Sequence, residues 1–355
     1  MTAVFPGGAP NTYVPSHEAT KGLVVDFSRN VESFSLNKWI QIIPVTQSVG
    51  YYLKMTVEMA GRLLSSTLTD MIWADGNDAP TGRGNTEKFE FLAYGTTRYT
   101  DVVRLGQKMV DEASWDILAQ YGRIQLQKMM TARTQKAVTL AQATGTYDAS
   151  HTSAVSSISG VTGKWDASTT ARQDIRRSLD YGKELMFKDT LGGINMNDIK
   201  LVMSPGCARK MSVSQEIVDL VKGSPDAKAW ITGEFGSNAK KNASFGLPPT
   251  LYGTEIVVED TVKVTSKKGA TLANSYVCSD TSPFLCSRPG ALVAPADSNS
   301  APNFSTFAGF FKEELSVETK HDVDNRVHLA RVTDDYNMVA LAPVSGFLFT
   351  SAVAS

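Results

Sequence analysis

The stretch from about Asp101 to Ala143 contains no proline and only two glycines, Gly106 and Gly122. Within it Val110, Ala113, Ile117, Tyr121 and Ile124 recur at spacings of three and four, the signature of one helical face. Leu126, Met130, Ala137 and Leu140 continue an apolar side less regularly. Asp111, Glu112 and Asp116 sit toward the start, and Arg123, Lys128, Arg133 and Lys136 toward the end, which suits the helix dipole. The pattern predicts a single helix of about 35 to 40 residues, a rod of about 55 to 60 Å. A rod that long exceeds the usual helix length and predicts an elongated subunit. No heptad persists along it, so a coiled coil is not indicated.

The flanking segments carry a period of two instead. Trp39, Ile40, Ile42, Ile43 and Val45 read as a short apolar strand. Tyr51, Leu53, Met55, Val57 and Met59 then alternate with Tyr52, Lys54, Thr56 and Glu58, a strand with one buried face. Phe89, Phe91 and Ala93 form a second alternating run. Between the two lies a cluster of turn formers, Asp75, Gly76, Asn77, Pro80, Gly82 and Gly84. Together they predict a long two-stranded excursion. Two strands bury too little to stand alone, so the excursion must lie on its own body or on a neighbour. Ahead of it, residues 1 to about 35 carry Pro6, Gly7, Gly8, Pro10 and Pro15 and read as an extended arm or a frayed terminus.

After the helical stretch, Thr144 to Gly163 has Ser, Thr or Gly at twelve of twenty positions and reads as a loop or surface insertion. Ser168, Thr169 or Thr170 can cap a helix with the stripe Ile175, Leu179, Gly182 and Met186. Ile199 to Met203 reads as a buried strand. Ser204-Pro205 then starts a helix that ends near Gly223. With strands at Thr254 to Val258 and Ser275 to Cys278, residues 166–309 form an α/β or α+β unit. The last segment is strand-rich. Leu315, Val317 and Thr319 alternate with polar residues, as do Val327, Leu329 and Arg331, and Met338 to Leu341 and Phe347 to Phe349 follow. These strands return to close a sheet with earlier ones.

Composition narrows the function classes. Lys and Arg total 35 against 36 for Asp and Glu, which argues against a nucleic-acid binder working through one large basic face. Cys207, Cys278 and Cys286 cannot all pair and lack CxxC spacing, so neither a disulfide framework nor a zinc site is indicated. Met1 to Ser16 has no basic start and no apolar core, so no signal peptide is read there. Met338 to Ala354 is too short, and too broken by Pro343 and Gly346, for a membrane helix. A reducing, aqueous compartment is expected.

No nucleophile elbow, phosphate loop, HExxH pair or dinucleotide fingerprint is present. His321, Asp322, Asp324, Asn325, His328, Asp334 and Asp335 look at first like a metal site. Arg326 occupies the fifth ligand position of the calcium-loop pattern, however, and strand alternation accounts for these residues as a wet face and turn. Lys54, Lys88 and Asn325, with Glu314 or Glu318 as a base, raise the idea of an isopeptide cross-link, for which solvated surface lysines are the simpler reading. The expectation is therefore a chain with no catalytic, cofactor or metal residues, not an enzyme.

Arm, long hairpin, long helix, α/β unit and returning strands, in that order, resemble the major capsid proteins of tailed bacteriophages, with the Hong Kong phage-type capsid fold. Three stretches carry the resemblance: Asp75 to Asn85 running into Lys88-Phe89-Glu90-Phe91; Arg98-Tyr99-Thr100-Asp101 with Ala113-Ser114-Trp115-Asp116-Ile117; and Glu314 to Arg326 with Arg331 to Tyr336 and Ala342 to Phe347. The resemblance implies an α+β fold with an N-terminal arm (1–35), a peripheral-domain strand (36–45) and an E-loop hairpin (46–100). A spine helix with peripheral domain (101–165), an axial domain (166–309), and strands returning from the peripheral to the axial domain (310–355) complete it.

The function implied is self-assembly into pentamers and hexamers of an icosahedral head, built in the host cytoplasm and enclosing double-stranded DNA without sequence specificity. A portal protein is implied as a partner, with scaffolding and decoration proteins as possible ones, and no membrane. Arg62, Arg83 and Arg98 would pair with Glu313, Glu314, Glu318 and Asp322 of a neighbour. An encapsulin-like nanocompartment shell and a soluble enzyme with an unrecognised site remain the alternatives.

Overall fold

The computed structural model describes residues 31–54, 91–113, 115–167, 173–222, 246–267, 269–289 and 305–354. In chain order they form α1 (Leu36–Trp39), β1 (Gln41–Pro44), β2 (Val49–Leu53), β3 (Phe91–Gly95), β4 (Thr97–Gly106), α2 (Gln107–Asp111), α3 (Ile117–Ala141) and β5 (Thr152–Ala154). Then follow α4 (Asp174–Asp189), β6 (Ile199–Met203), α5 (Pro205–Ser212), α6 (Gln215–Lys222), β7 (Thr250–Leu251), β8 (Thr254–Val258), β9 (Val262–Val264) and β10 (Asn274–Tyr276). β11 (Phe284–Ser287), β12 (Phe307–Asp322), β13 (Val327–Ala340) and β14 (Gly346–Thr350) close the chain. Residues 1–30 of the expected arm (1–35), residues 55–90 of the expected hairpin (46–100) and the caps expected at Ser168 to Thr170 lie outside the described residues.

Two sheets organise the molecule. One has the order β1-β12-β13-β4, with β1 parallel to β12 and the other pairs antiparallel. The other has six strands in the order β5-β14-β11-β6-β8-β7. β2 with β3, and β9 with β10, make two separate ribbons.

The long helix is shorter than its sequence pattern suggests. Asp101 to Gly106 belongs to β4, α2 follows, and the continuous helix α3 has 25 residues, about 38 Å. The reason is local. Tyr99, Asp101, Val103 and Leu105 turn inward while Thr100, Val102 and Arg104 turn outward. That period of two satisfies pairing with β13 before the helical spacing takes over. Asp116 is the actual N-cap, its carboxylate accepting the Ala119 N–H at 2.9 Å.

Three further expectations change. Trp39 ends a helical turn rather than starting a strand, and its buried ring meets Phe284 and Phe307 edge-on. The helix after Ser204 is two helices, α5 and α6, separated at Val213 and Ser214; Ser204 Oγ caps the first by accepting the Cys207 N–H. Thr144 to Gly163 is no surface insertion. Tyr147, His151, Val155, Ile158 and Val161 are buried, and β5 joins the edge of the six-stranded sheet beside β14. Its small polar residues serve tight turns between those buried anchors.

The core lies on both faces of the six-stranded sheet. Trp165, Ile175, Leu179, Leu201, Phe347 and Phe349 fill the side under α4. α4 packs so closely that a Cβ on Gly182 would stand 2.9 Å from Leu285 Cδ1 and 3.2 Å from Phe349 Cζ. On the other side Ala137, Val138 and Ala141 at the end of α3 share a cluster with Trp39, Val202, Phe284, Phe307 and Leu348. That cluster joins the two sheets.

Candidate assembly site

β2 and β3 pair in the register Val49↔Gly95, Tyr51↔Ala93 and Leu53↔Phe91. Alternation sends Tyr52 and Tyr94 to one face, where they pack on Phe310 with ring centroids at 5.8 and 4.2 Å. The opposite face carries Val49, Tyr51 and Phe91, which are 63%, 75% and 61% exposed. The ribbon thus buries one apolar face on the body and presents another to solvent. It leads into residues 55–90, where Arg62, Arg83, Lys88 and the tip Asp75 to Asn85 lie outside the described residues.

The second feature is the β12–β13 hairpin. β1 covers the outer edge of β12 only as far as Phe311. From Lys312 to Asp322 that edge meets no strand among the described residues. Lys312, Glu313, Glu318 and Lys320 line it with charge, which discourages indiscriminate strand pairing. Val317 and Val323 are nonetheless exposed.

The charged set expected to bridge subunits has partners inside its own chain. Arg98 donates to Glu313 at 2.7 Å, and Arg331 pairs with Glu318. Asp322 accepts the Asn325 side-chain amide at 2.8 Å and its backbone N–H at 3.3 Å. Those bonds hold the Asp322 carboxyl below the ordinary carboxylate range. Glu314 falls between register shifts of β12. Any pairing between subunits must add to these contacts or replace them. Asn325 is engaged in its own turn, and among the described residues no three His, Cys, Asp or Glu side chains converge as metal ligands.

The polar seam between α3 and the first sheet was not legible in the sequence. Arg133, read as a dipole residue, is buried, and Asp334, read as part of a wet face, is fully buried. They form a bidentate pair, Nε to Oδ2 at 3.0 Å and Nη2 to Oδ1 at 2.7 Å. The guanidinium also lies 4.6 Å from the Phe311 ring centroid and 5.3 Å from that of Tyr336. Burial pushes the Asp334 carboxyl above the ordinary carboxylate range against the pull of Arg133. Lys136 donates to Tyr99 Oη and to Asn337 Oδ1, each at 3.2 Å. One signal was available: Arg133 lies four residues before Ala137 on the side of α3 that enters the core.

The cysteines are inert by environment. All three are buried, and burial pushes the Cys207 and Cys286 thiols up to about 12.

No family model matches the chain, and no curated protein matches it in sequence. Solved structures do. A phage-related protein from Bordetella bronchiseptica RB50 superposes with a TM-score of 0.60 at 18% identity, covering 91% of this chain and 93% of that one. The mature capsid of bacteriophage PhiM1 gives 0.52 at 13% identity over 92% and 89% of the two chains. The capsid of cyanophage P-SCSP1u gives 0.52 at 12% identity over 98% of each. The likeness spans about nine-tenths or more of each chain, and on it the chain has the Hong Kong phage-type capsid fold.

Proposed function

We propose that the chain is the major shell subunit of a phage or phage-like particle, assembling with copies of itself into pentamers and hexamers. The observation that carries this reading is the β2–β3 ribbon, which leaves Val49 and Tyr51 facing water. Apolar groups of that size exposed on a two-stranded ribbon suit burial against another surface. The capsid fold supplies the precedent for a second copy as that surface. Contacts of this kind bury on the order of 1,600 Å² each. The arm, ribbon and hairpin would make several at once, so that weak contacts together become hard to break.

The reading is structural rather than catalytic. Near-zero net charge suits a container that surrounds DNA without gripping a sequence. A portal, a scaffold and decoration proteins are the further partners in this reading, and the virion is its location. Among the described residues no helix is long and apolar enough to cross a membrane.

The test is negative-stain electron microscopy of the expressed chain, followed by nuclease treatment of particles purified from infected or induced cells. Closed shells containing nuclease-protected DNA support the reading. Shells filled with a protein cargo would reassign it to a nanocompartment. A dispersed monomer with a turnover activity would overturn it.

A further inference from the structure

Asp335 is 4% exposed, yet its Oδ1 has no hydrogen-bond partner. Its Oδ2 lies 3.9 Å from Arg98 Nε, a long ion pair beyond hydrogen-bond reach, while Arg98 Nη2 donates to Glu313 at 2.7 Å. Pairing registers set the three residues in one cross-strand row, Glu313 on β12, Asp335 on β13 and Arg98 on β4.

Charge does not balance here. Successive strand residues point to opposite faces, so Asp334 turns to Arg133 under the helix while Asp335 turns away from it. On the Asp335 face Glu313 and Asp335 share Arg98, two carboxyl groups against one guanidinium. A water molecule would satisfy an oxygen atom but leave the charge. A buried carboxyl left with only a long, shared ion pair is incompletely compensated. The row also stands where the register of β12 shifts, just past the last residue covered by β1. Glu313 is half exposed there, so the site opens to the outside of the sheet.

We propose that Glu313 and Asp335 form the receiving half of an ion pair between subunits, taking a lysine or arginine side chain from a second copy of this chain. The proposal rests on the shell reading and gives it a specific contact. A multidentate metal does not suit the position, since the described residues assemble no group of three metal-ligating side chains. An incoming cation would approach the half-exposed Glu313, with the buried Asp335 carboxyl behind it.

The experiment is Asp335→Asn in the full chain, read by the thermal midpoint of dissociated subunits and by the concentration threshold for assembly at low and high salt. Glu313→Gln, at a more exposed position, repeats it with less risk to folding. The expected result is a subunit midpoint unchanged or raised by about 2 to 4 °C, because an incompletely paired buried charge is gone. The assembly threshold should rise at least about tenfold and depend less on salt. A lowered subunit midpoint with an unchanged threshold would show that Asp335 serves its own chain through Arg98, and would overturn the proposal. So would an unchanged threshold at both positions. Wild-type protein that forms no particles overturns the shell reading and this contact with it, whereas wild-type shells alongside normal variant assembly overturn this contact alone.

Discussion

Removing Asp334 should damage the subunit far more than removing any surface carboxylate. The pair it forms with Arg133 is bidentate, and the side chains are 0% and 9% exposed. Asp334→Ala leaves a guanidinium buried among Phe311, Tyr336 and the sheet with its charge unanswered. Breaking a buried pair in this way typically costs about 3 to 5 kcal/mol. The Phe311 and Tyr336 rings beside the Arg133 guanidinium return part of that, so about 3 kcal/mol is the expected loss. The assay is urea unfolding of dissociated subunits, with Glu318→Ala as control. Glu318 also pairs with an arginine, but both partners are more than half exposed, and such pairs contribute about 0 to 1 kcal/mol. The double variant Arg133→Met/Asp334→Leu should recover most of the loss, because it removes both charges and keeps the volume. If Asp334→Ala proves as mild as the control, the seam is not the buried ionic layer described above.

Further expectations concern packing, a turn and the ribbon. Gly182→Ala would place a methyl 2.9 Å from Leu285 Cδ1 and should destabilise by about 1 to 3 kcal/mol in the same urea assay; no change would mean α4 moves off the sheet freely. Asp322 titrates below the ordinary carboxylate range, so its contribution to the β12–β13 turn is present above that ordinary value and fades as pH falls through the lower folded one. Asn325→Ala should return the carboxyl toward its ordinary range, followed by NMR titration; an unmoved titration would refute the assigned cause. Val49→Ser with Tyr51→Ser should leave the subunit midpoint unchanged and suppress particles in sedimentation, and deleting Asp75 to Asn85 should do the same. Normal shells from either variant would count against the ribbon as a contact.

Much of the architecture is legible because local chemistry and tertiary demand agree. The alternation around Val317 and Leu329 became the β12–β13 hairpin, and Ser204-Pro205 became a capped helix start. Where the two disagree, the sequence misleads. Val103 and Leu105 satisfy either period, and only pairing with β13 decides for a strand. Thr144 to Gly163 has the composition of a loop, yet its buried residues sit at short regular intervals among turn formers and fix it to the six-stranded sheet. Asp334 and Asp335 look equivalent side by side. Their different fates depend on which face of β13 meets α3, a relation between segments some 200 residues apart. Arg98, Glu313, Glu318 and Asp322 were recognisable as a charged set, but not as groups with partners in their own chain.

Whether copies of this polypeptide complete one another can be read most directly by sedimentation velocity of the purified full-length protein. The account predicts that, above a threshold concentration, most of the mass sediments as closed particles of many copies, with only a minor slow boundary at 38.4 kDa. A single boundary at the mass of one chain, unchanged across concentration, salt and pH, would contradict it.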